Sequence, residues 1–148
     1  MRLKDIVDLF GAELWDGKFE FAFIESKAGG REFQLVDSIG PDELRILRDG
    51  VHLSKECLRQ VYRGSSWYRA TIVAKEIAVC ENSKDWKSIC RDRLGERPLP
   101  LSPEVKAAAQ LLYPALAKAF QEAVAGNASA AKAALFPAVE ALQKVRSL

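Results

Sequence analysis

Apolar residues return every three or four positions along the last third of the chain. They run Val105, Ala108, Ala109, Leu112, Leu116, Phe120 and Val124, then Ala131, Leu135, Val139, Leu142 and Val145. That spacing is the period of an amphipathic helix. It predicts two helices joined at Gly126-Asn127-Ala128-Ser129, where Gly126 suits a left-handed C-terminal cap and Asn127 or Ser129 can cap the next helix. Fifteen of the 45 residues from 104 to 148 are alanine, which favours helix and lets two backbones approach closely.

Within this region Leu112-Tyr113-Pro114-Ala115-Leu116 recurs as Leu135-Phe136-Pro137-Ala138-Val139. Each proline falls inside a helical pattern, removes one backbone donor and crowds the carbonyl four residues earlier, on Gln110 or Ala133. The two prolines are almost equidistant from Gly126, so in an antiparallel hairpin the bends fall at one height and the pair is expected to kink together. The alternative is that each proline starts a new helix, giving four short ones. Tyr113 and Phe136 lie off the main apolar row, and they either pack on the N-terminal part or form a docking patch for a partner.

The first third reads differently. Ile6, Val7, Leu9 and Phe10 predict a short helix ended by Gly11. Phe19, Phe21 and Phe23 alternate with period two, and Leu14-Trp15 precedes Asp16-Gly17, a hairpin signal. With a second turn at Lys27-Ala28-Gly29-Gly30-Arg31 and apolar positions at Phe33 and Leu35, a three-stranded antiparallel meander is expected. Gly29-Gly30 is not a phosphate loop, since neither a helix nor a lysine of the required kind follows it.

Short helices are expected in the middle. Pro41 precedes one over 42–48, stopped by Gly50. Ser54 caps Lys55 to Tyr62, and Ser65 or Ser66 starts a helix with Trp67, Ala70, Val73, Ala74 and Ile77 on its apolar face. A further helix carries Trp86, Ile89, Cys90 and Leu94. The resulting fold class is α+β and predominantly helical: a small N-terminal meander, central short helices and a C-terminal kinked hairpin. The expected organisation is a mixed region over 1–95, a proline-rich connector over 96–103, and an alanine-rich hairpin over 104–148 packed on the first region as one domain.

Composition narrows the function classes. The 148 residues are 49% hydrophobic and 28% charged, a globular balance. No apolar run approaches membrane-spanning length and no secretory leader is evident at Met1, so a cytoplasmic protein without a membrane partner is expected. Cys57, Cys80 and Cys90 have long, unequal gaps that suggest neither a disulfide framework nor a zinc site. His52 is the one histidine and has no neighbour of the kind a general base needs. No catalytic, cofactor or metal residue is singled out, and the chain is expected not to be an enzyme.

Charge is uneven. Residues 1–54 carry seven Lys/Arg against eleven Asp/Glu, whereas 55–75 carry Lys55, Arg59, Arg63, Arg69 and Lys75 against Glu56 alone. Lys55, Arg59 and Arg63 share one helical stripe, with Tyr62, Trp67 and Tyr68 interleaved, a pattern suited to phosphate contacts and base stacking. These five cations are the candidate phosphate-contacting residues. The leading expectation is a non-enzymatic interaction module, an adaptor, inhibitor or assembly subunit that docks a protein partner or a second copy through Tyr113 and Phe136. The rival is a regulator binding DNA or RNA, or a small subunit of a nucleoprotein complex, through the basic stripe.

Overall fold

A computed structural model describes residues 2–146. Its elements are α1 (Leu3–Leu9), β1 (Glu13–Gly17), β2 (Phe21–Glu25), β3 (Arg31–Leu35), a 3-10 turn (Pro41–Glu43), β4 (Leu44–Arg48) and β5 (Val51–His52). There follow α2 (Glu56–Tyr62), α3 (Ser66–Cys80), α4 (Trp86–Ser88) continuing into a wide π turn (Ile89–Arg93), α5 (Pro103–Val124) and α6 (Ala128–Arg146). The class is α+β and mostly helical, with a three-stranded antiparallel sheet near the N-terminus and a C-terminal helix pair.

The helix pair is the foundation. Val105, Ala108, Leu112, Leu116, Ala119 and Ala123 of α5 are buried against Ala131, Leu135, Ala138, Val139 and Leu142 of α6. Alanines at the contact let the backbones close in while the leucines fill the remaining space. Ser102 caps α5 by accepting the Val105 amide at 3.3 Å, with Pro103 at the first helical position. Gly126, at φ +83°, ends α5 in the left-handed conformation that glycine adopts without a Cβ penalty. Both helices run unbroken through Pro114 and Pro137, which excludes the four-helix alternative. Each proline is on an exposed face, where the carbonyl it leaves without a helical donor can turn to water. The apolar row drifts as a 3.6 period must: Val124 is 66% exposed, and Ala119 and Ala123 take the inner face instead.

α1 lies across α5, with Phe10 meeting Phe120 edge to face at a centroid distance of 5.0 Å. The sheet closes the other side, in the order β1-β4-β5. Leu44 and Ile46 of β4, Val51 of β5 and the following Leu53 are all buried in the same cluster as the helix pair. Arg48 ends β4 with its side chain only 14% exposed, donating to the Lys132 carbonyl of α6 at 2.8 Å and to the Phe10 carbonyl at 3.3 Å.

The pairing within the sheet corrects two local expectations. The segment 42–48, expected as a helix, is a 3-10 turn followed by the central strand β4. β1 pairs antiparallel with β4, Glu13 opposite Leu47 and Gly17 opposite Leu44, with a bulge at Trp15. Asp16-Gly17 is therefore the end of a strand. A Cβ at Gly17 would sit 2.8 Å from Leu44 Cδ2, so a larger residue there would make the end of the Leu44 side chain shift. The two-residue hairpin is made by Asp49 (φ 51°) and Gly50 (φ 74°), the paired left-handed conformations of a type I′ turn. β2 and β3 form a separate ribbon, Phe21 opposite Leu35 and Phe23 opposite Phe33.

α3, α4 and the π turn make a second, smaller cluster around Ala74, Ala78, Ile89 and Cys90. Val73, placed by periodicity on the inner face of α3, is 44% exposed, and Thr71 is buried in its stead. Among the described residues no helix is long and apolar enough to cross a membrane.

Candidate anion-binding site

The site is organised by the turn that feeds the central strand. Gly40-Pro41-Asp42-Glu43 curls into a 3-10 turn because Pro41 pre-sets the first backbone angle and the Glu43 carboxylate accepts the Gly40 amide at 3.1 Å. That turn aims Asp42 at the start of α2. Its Oδ1 accepts the Lys55 amide at 2.7 Å and the Tyr113 hydroxyl at 2.8 Å. One carboxylate thus joins the strand side, the N-terminus of α2 and the long helix α5.

The elements that meet at this node carry ion pairs of their own. The Lys55 ammonium lies 4.0 Å from the Glu43 carboxylate. Arg45, on β4, pairs with Asp16 of β1 at 3.2 Å. Glu56, 19% exposed, receives Arg59 at 3.5 Å and also pairs with Arg63. Lys55, Arg59 and Arg63 thus share the neighbourhood of α2, but each already has a carboxylate in reach. The cationic ends are 43–63% exposed, but Glu43 and Glu56 are only 23% and 19% exposed, so an anion that takes these cations leaves two largely covered carboxylates without their partners.

Arg69 and Lys75 belong to α3, in the second cluster. The Lys75 ammonium sits 5.1 Å from the centre of the Trp86 ring, a cation–π contact. The five basic residues are therefore distributed over two bodies. Of the two aromatics singled out by the repeat, Tyr113 is 39% exposed and tied to Asp42, while Phe136 is 60% exposed on α6.

Burial, and after it the hydrogen bond to Asp42, holds the Tyr113 hydroxyl protonated well above the usual tyrosine range. Tyr113 is thus a fixed donor to Asp42. Burial likewise raises the Cys57 thiol, opposed by backbone donation, so Cys57 is an inert thiol. His52 is held below the ordinary histidine range, by burial first, with Glu56 opposing and Arg45, Arg63 and Arg146 adding to the effect. Its Nδ1 is buried with no hydrogen-bond partner. No group of three or more metal-ligating side chains occurs among the described residues.

α2 also lines a cleft of about 640 Å³, of the size that holds a small molecule. Its walls include His52, Cys57, Val61, Trp67, Leu99 and Val145, and Ser66, Arg97 and Arg146 supply polar groups. The proline-rich segment that forms one wall is pinned by the Tyr62 hydroxyl, which donates to the Leu99 carbonyl at 2.9 Å. Asp42, Arg45 and this cleft escaped the sequence reading. The signal that could have found Asp42 and Arg45 was Gly40-Pro41-Asp42, read as a turn entering a buried strand.

No family model matches the chain, and no solved structure matches it. A protein of Archaeoglobus fulgidus, named "Putative phosphoribosylaminoimidazole-succinocarboxamide synthase", is 34% identical over 113 residues. The match takes in 76% of this chain, and the chain spans 28% of that relative's length. The expectation that the chain is not an enzyme is corrected by this finding, because the relative carries the name of one.

Proposed function

We propose that this chain is part of a cytoplasmic synthase of the class its Archaeoglobus relative is named for, and that the surroundings of α2 hold the anionic groups of its substrate or product. The reading is supported by the 34% identity together with the cations that α2 carries, Lys55, Arg59 and Arg63. A compound called phosphoribosylaminoimidazole-succinocarboxamide bears a phosphate at one end and succinyl carboxylates at the other. Lys55, Arg59, Arg63 and Arg45 are the side chains suited to such groups, arginine through its planar fork and lysine as a point charge. Asp42 and Tyr113 fix the start of α2, and thereby the place of Lys55. Three free cysteines fit a reducing compartment.

Titration calorimetry of the chain with phosphoribosylaminoimidazole-succinocarboxamide tests the proposal, comparing the natural sequence with Lys55→Ala/Arg59→Ala. Loss of two charge-assisted contacts should weaken binding by about tenfold or more, with less heat at high salt. Equal affinity in the two proteins would remove α2 from the site. A short duplex DNA serves as control, and tighter binding of the duplex than of the nucleotide would favour the nucleic-acid reading of the same stripe.

A further inference from the structure

The cleft of about 640 Å³ differs in make-up from the cationic surroundings of α2. Its lining is mostly apolar, with Leu58 and Val61 from α2, Trp67 from α3, Val105 from α5, and Leu142 and Val145 from α6. Lys55, Arg59 and Arg63 are not part of it. The wall opposite α2 is the segment 96–102, which carries Pro98 and Pro100 and leads into Pro103, a stiff extended strap. Hydrogen bonds fix it at several places. The Glu96 amide donates to the Cys90 carbonyl at 3.1 Å and the Glu96 carboxylate accepts the Ser66 hydroxyl at 2.9 Å. The Leu99 carbonyl accepts from Tyr62, whose ring packs edge to face on Trp67 at a centroid distance of 5.1 Å, and Ser102 caps α5. A stiff wall pinned in this way resists folding down onto the apolar residues across from it, so the space is ready-made and a ligand has little to order on entry.

Charge decides the kind of ligand. The charged side chains on the walls are Glu96, Arg97 and Arg146, one negative against two positive, and burial holds His52 neutral. Glu96 is engaged by Ser66, and Arg146 donates to the Gly50 carbonyl. Arg97 makes no hydrogen bond or ion pair with any described residue. Asp92 feels its charge from a distance, but that carboxylate is forked by Arg91 at 2.6 and 2.7 Å. An apolar cleft beside one uncommitted guanidinium suits a molecule with an apolar body and a single carboxylate, which the planar fork can take with two donors. We propose that this cleft binds a small monocarboxylate, its apolar body among Leu58, Val61, Trp67 and Val145 and its carboxylate on Arg97. The site goes beyond the synthase reading and does not depend on it.

Calorimetric titration of the full chain with octanoate, octanol and octyltrimethylammonium tests the proposal, because the three share one apolar body and differ in charge. Octanoate should bind about fivefold or more tighter than octanol, and the ammonium most weakly. Arg97→Gln should bring octanoate down to the level of octanol. Val61→Trp, at a position 45% exposed, adds bulk to the cleft without displacing a buried residue and should abolish binding at an unchanged far-UV circular dichroism spectrum. Leu99→Asp, on a strap side chain 74% exposed, is a second variant that should weaken octanoate by like charge. Lys55→Ala/Arg59→Ala, and Phe23→Ser on the exposed phenylalanine face of β2–β3, should leave octanoate affinity within about twofold, since neither change touches the cleft. Absence of saturable octanoate binding, or binding indifferent to both Val61→Trp and Leu99→Asp, overturns the proposal. Octanol binding as tightly as octanoate, or no response to Arg97→Gln, overturns it in favour of an uncharged ligand. Loss of octanoate binding in Lys55→Ala/Arg59→Ala overturns it in favour of the α2 cations. The expected pattern in a chain that binds no phosphoribosylaminoimidazole-succinocarboxamide supports the cleft and refutes the α2 site instead.

Discussion

Replacing Arg48 by Met tests the central claim about how the sheet is held on the helices. The methionine keeps most of the buried stem and removes the guanidinium, which spans from the end of β4 to the Lys132 carbonyl at 2.8 Å and the Phe10 carbonyl at 3.3 Å. A hydrogen bond from a charged donor contributes about 1.5–3 kcal/mol. The Lys132 bond is well placed but open to water, and the Phe10 bond is long, so we work with about 2 kcal/mol for the pair. The Asp49 contact at 3.7 Å adds nothing measurable, since that carboxylate is 66% exposed. For a chain of this size about 2 kcal/mol corresponds to a melting temperature lower by roughly 4–8 °C. Urea unfolding followed by far-UV circular dichroism should show the loss at an unchanged slope. Arg48→Lys, which keeps a charged donor on a shorter side chain, should lie between the two. A loss below about 0.5 kcal/mol, the range of an ordinary surface change, would refute Arg48 as the link between β4 and α6.

Two pH effects follow from the site. The Tyr113 proton is held more tightly in the folded state than the ordinary value of 10.0, so the stabilisation is fully present below about pH 10 and is lost as pH rises beyond it. Tyr113→Phe should flatten that alkaline decline in a series of urea midpoints, and an unchanged slope would count against the Asp42 bond. His52 has the opposite sense: its folded-state value lies below 6.5, so its contribution is present above that pH and fades as pH falls through the lowered value, where the buried ring must take up a proton. His52→Gln should reduce the acid loss of stability, measured in the same way, and an identical acid limb would show that the ring is not held neutral.

The sequence and the fold part company at particular residues. The chain contains Asp-Gly twice, at 16–17 and 49–50, and local chemistry cannot say which one turns. Asp49-Gly50 does, because Leu44, Ile46 and Leu47 before it and Val51 and Leu53 after it are needed together in the core. Asp16-Gly17 is drawn into a strand by the same demand, with Gly17 lying close against Leu44. The segment 42–48 carries a fair helix signal, yet tertiary burial of Leu44, Ile46 and Leu47 overrides it. At the site, the stripe Lys55, Arg59 and Arg63 was legible from its spacing. Asp42 and its contact with Tyr113 were not, because 71 residues separate the two ends of that hydrogen bond. The likeness to a protein named as a synthase was illegible for another reason: no motif read along the chain pointed to it, and it came from comparison with the Archaeoglobus protein.

By itself the sequence determined what depends on neighbours along the chain. The period of α5 and α6, the Gly126 turn, the Ser102 and Ser65 caps and the β2–β3 ribbon with its Gly29-Gly30 turn are all local in origin. Tertiary structure alone decided that β4 lies between β1 and β5, that Arg48 reaches α6, and that Asp42 meets Tyr113. These are contacts between distant segments, and a distant contact forms only when a shared core offsets the entropy of closing the loop between them. The phenylalanine face of β2–β3 belongs to both levels: alternation in the sequence places its side chains on one side, and only the fold shows that nothing within this chain covers them.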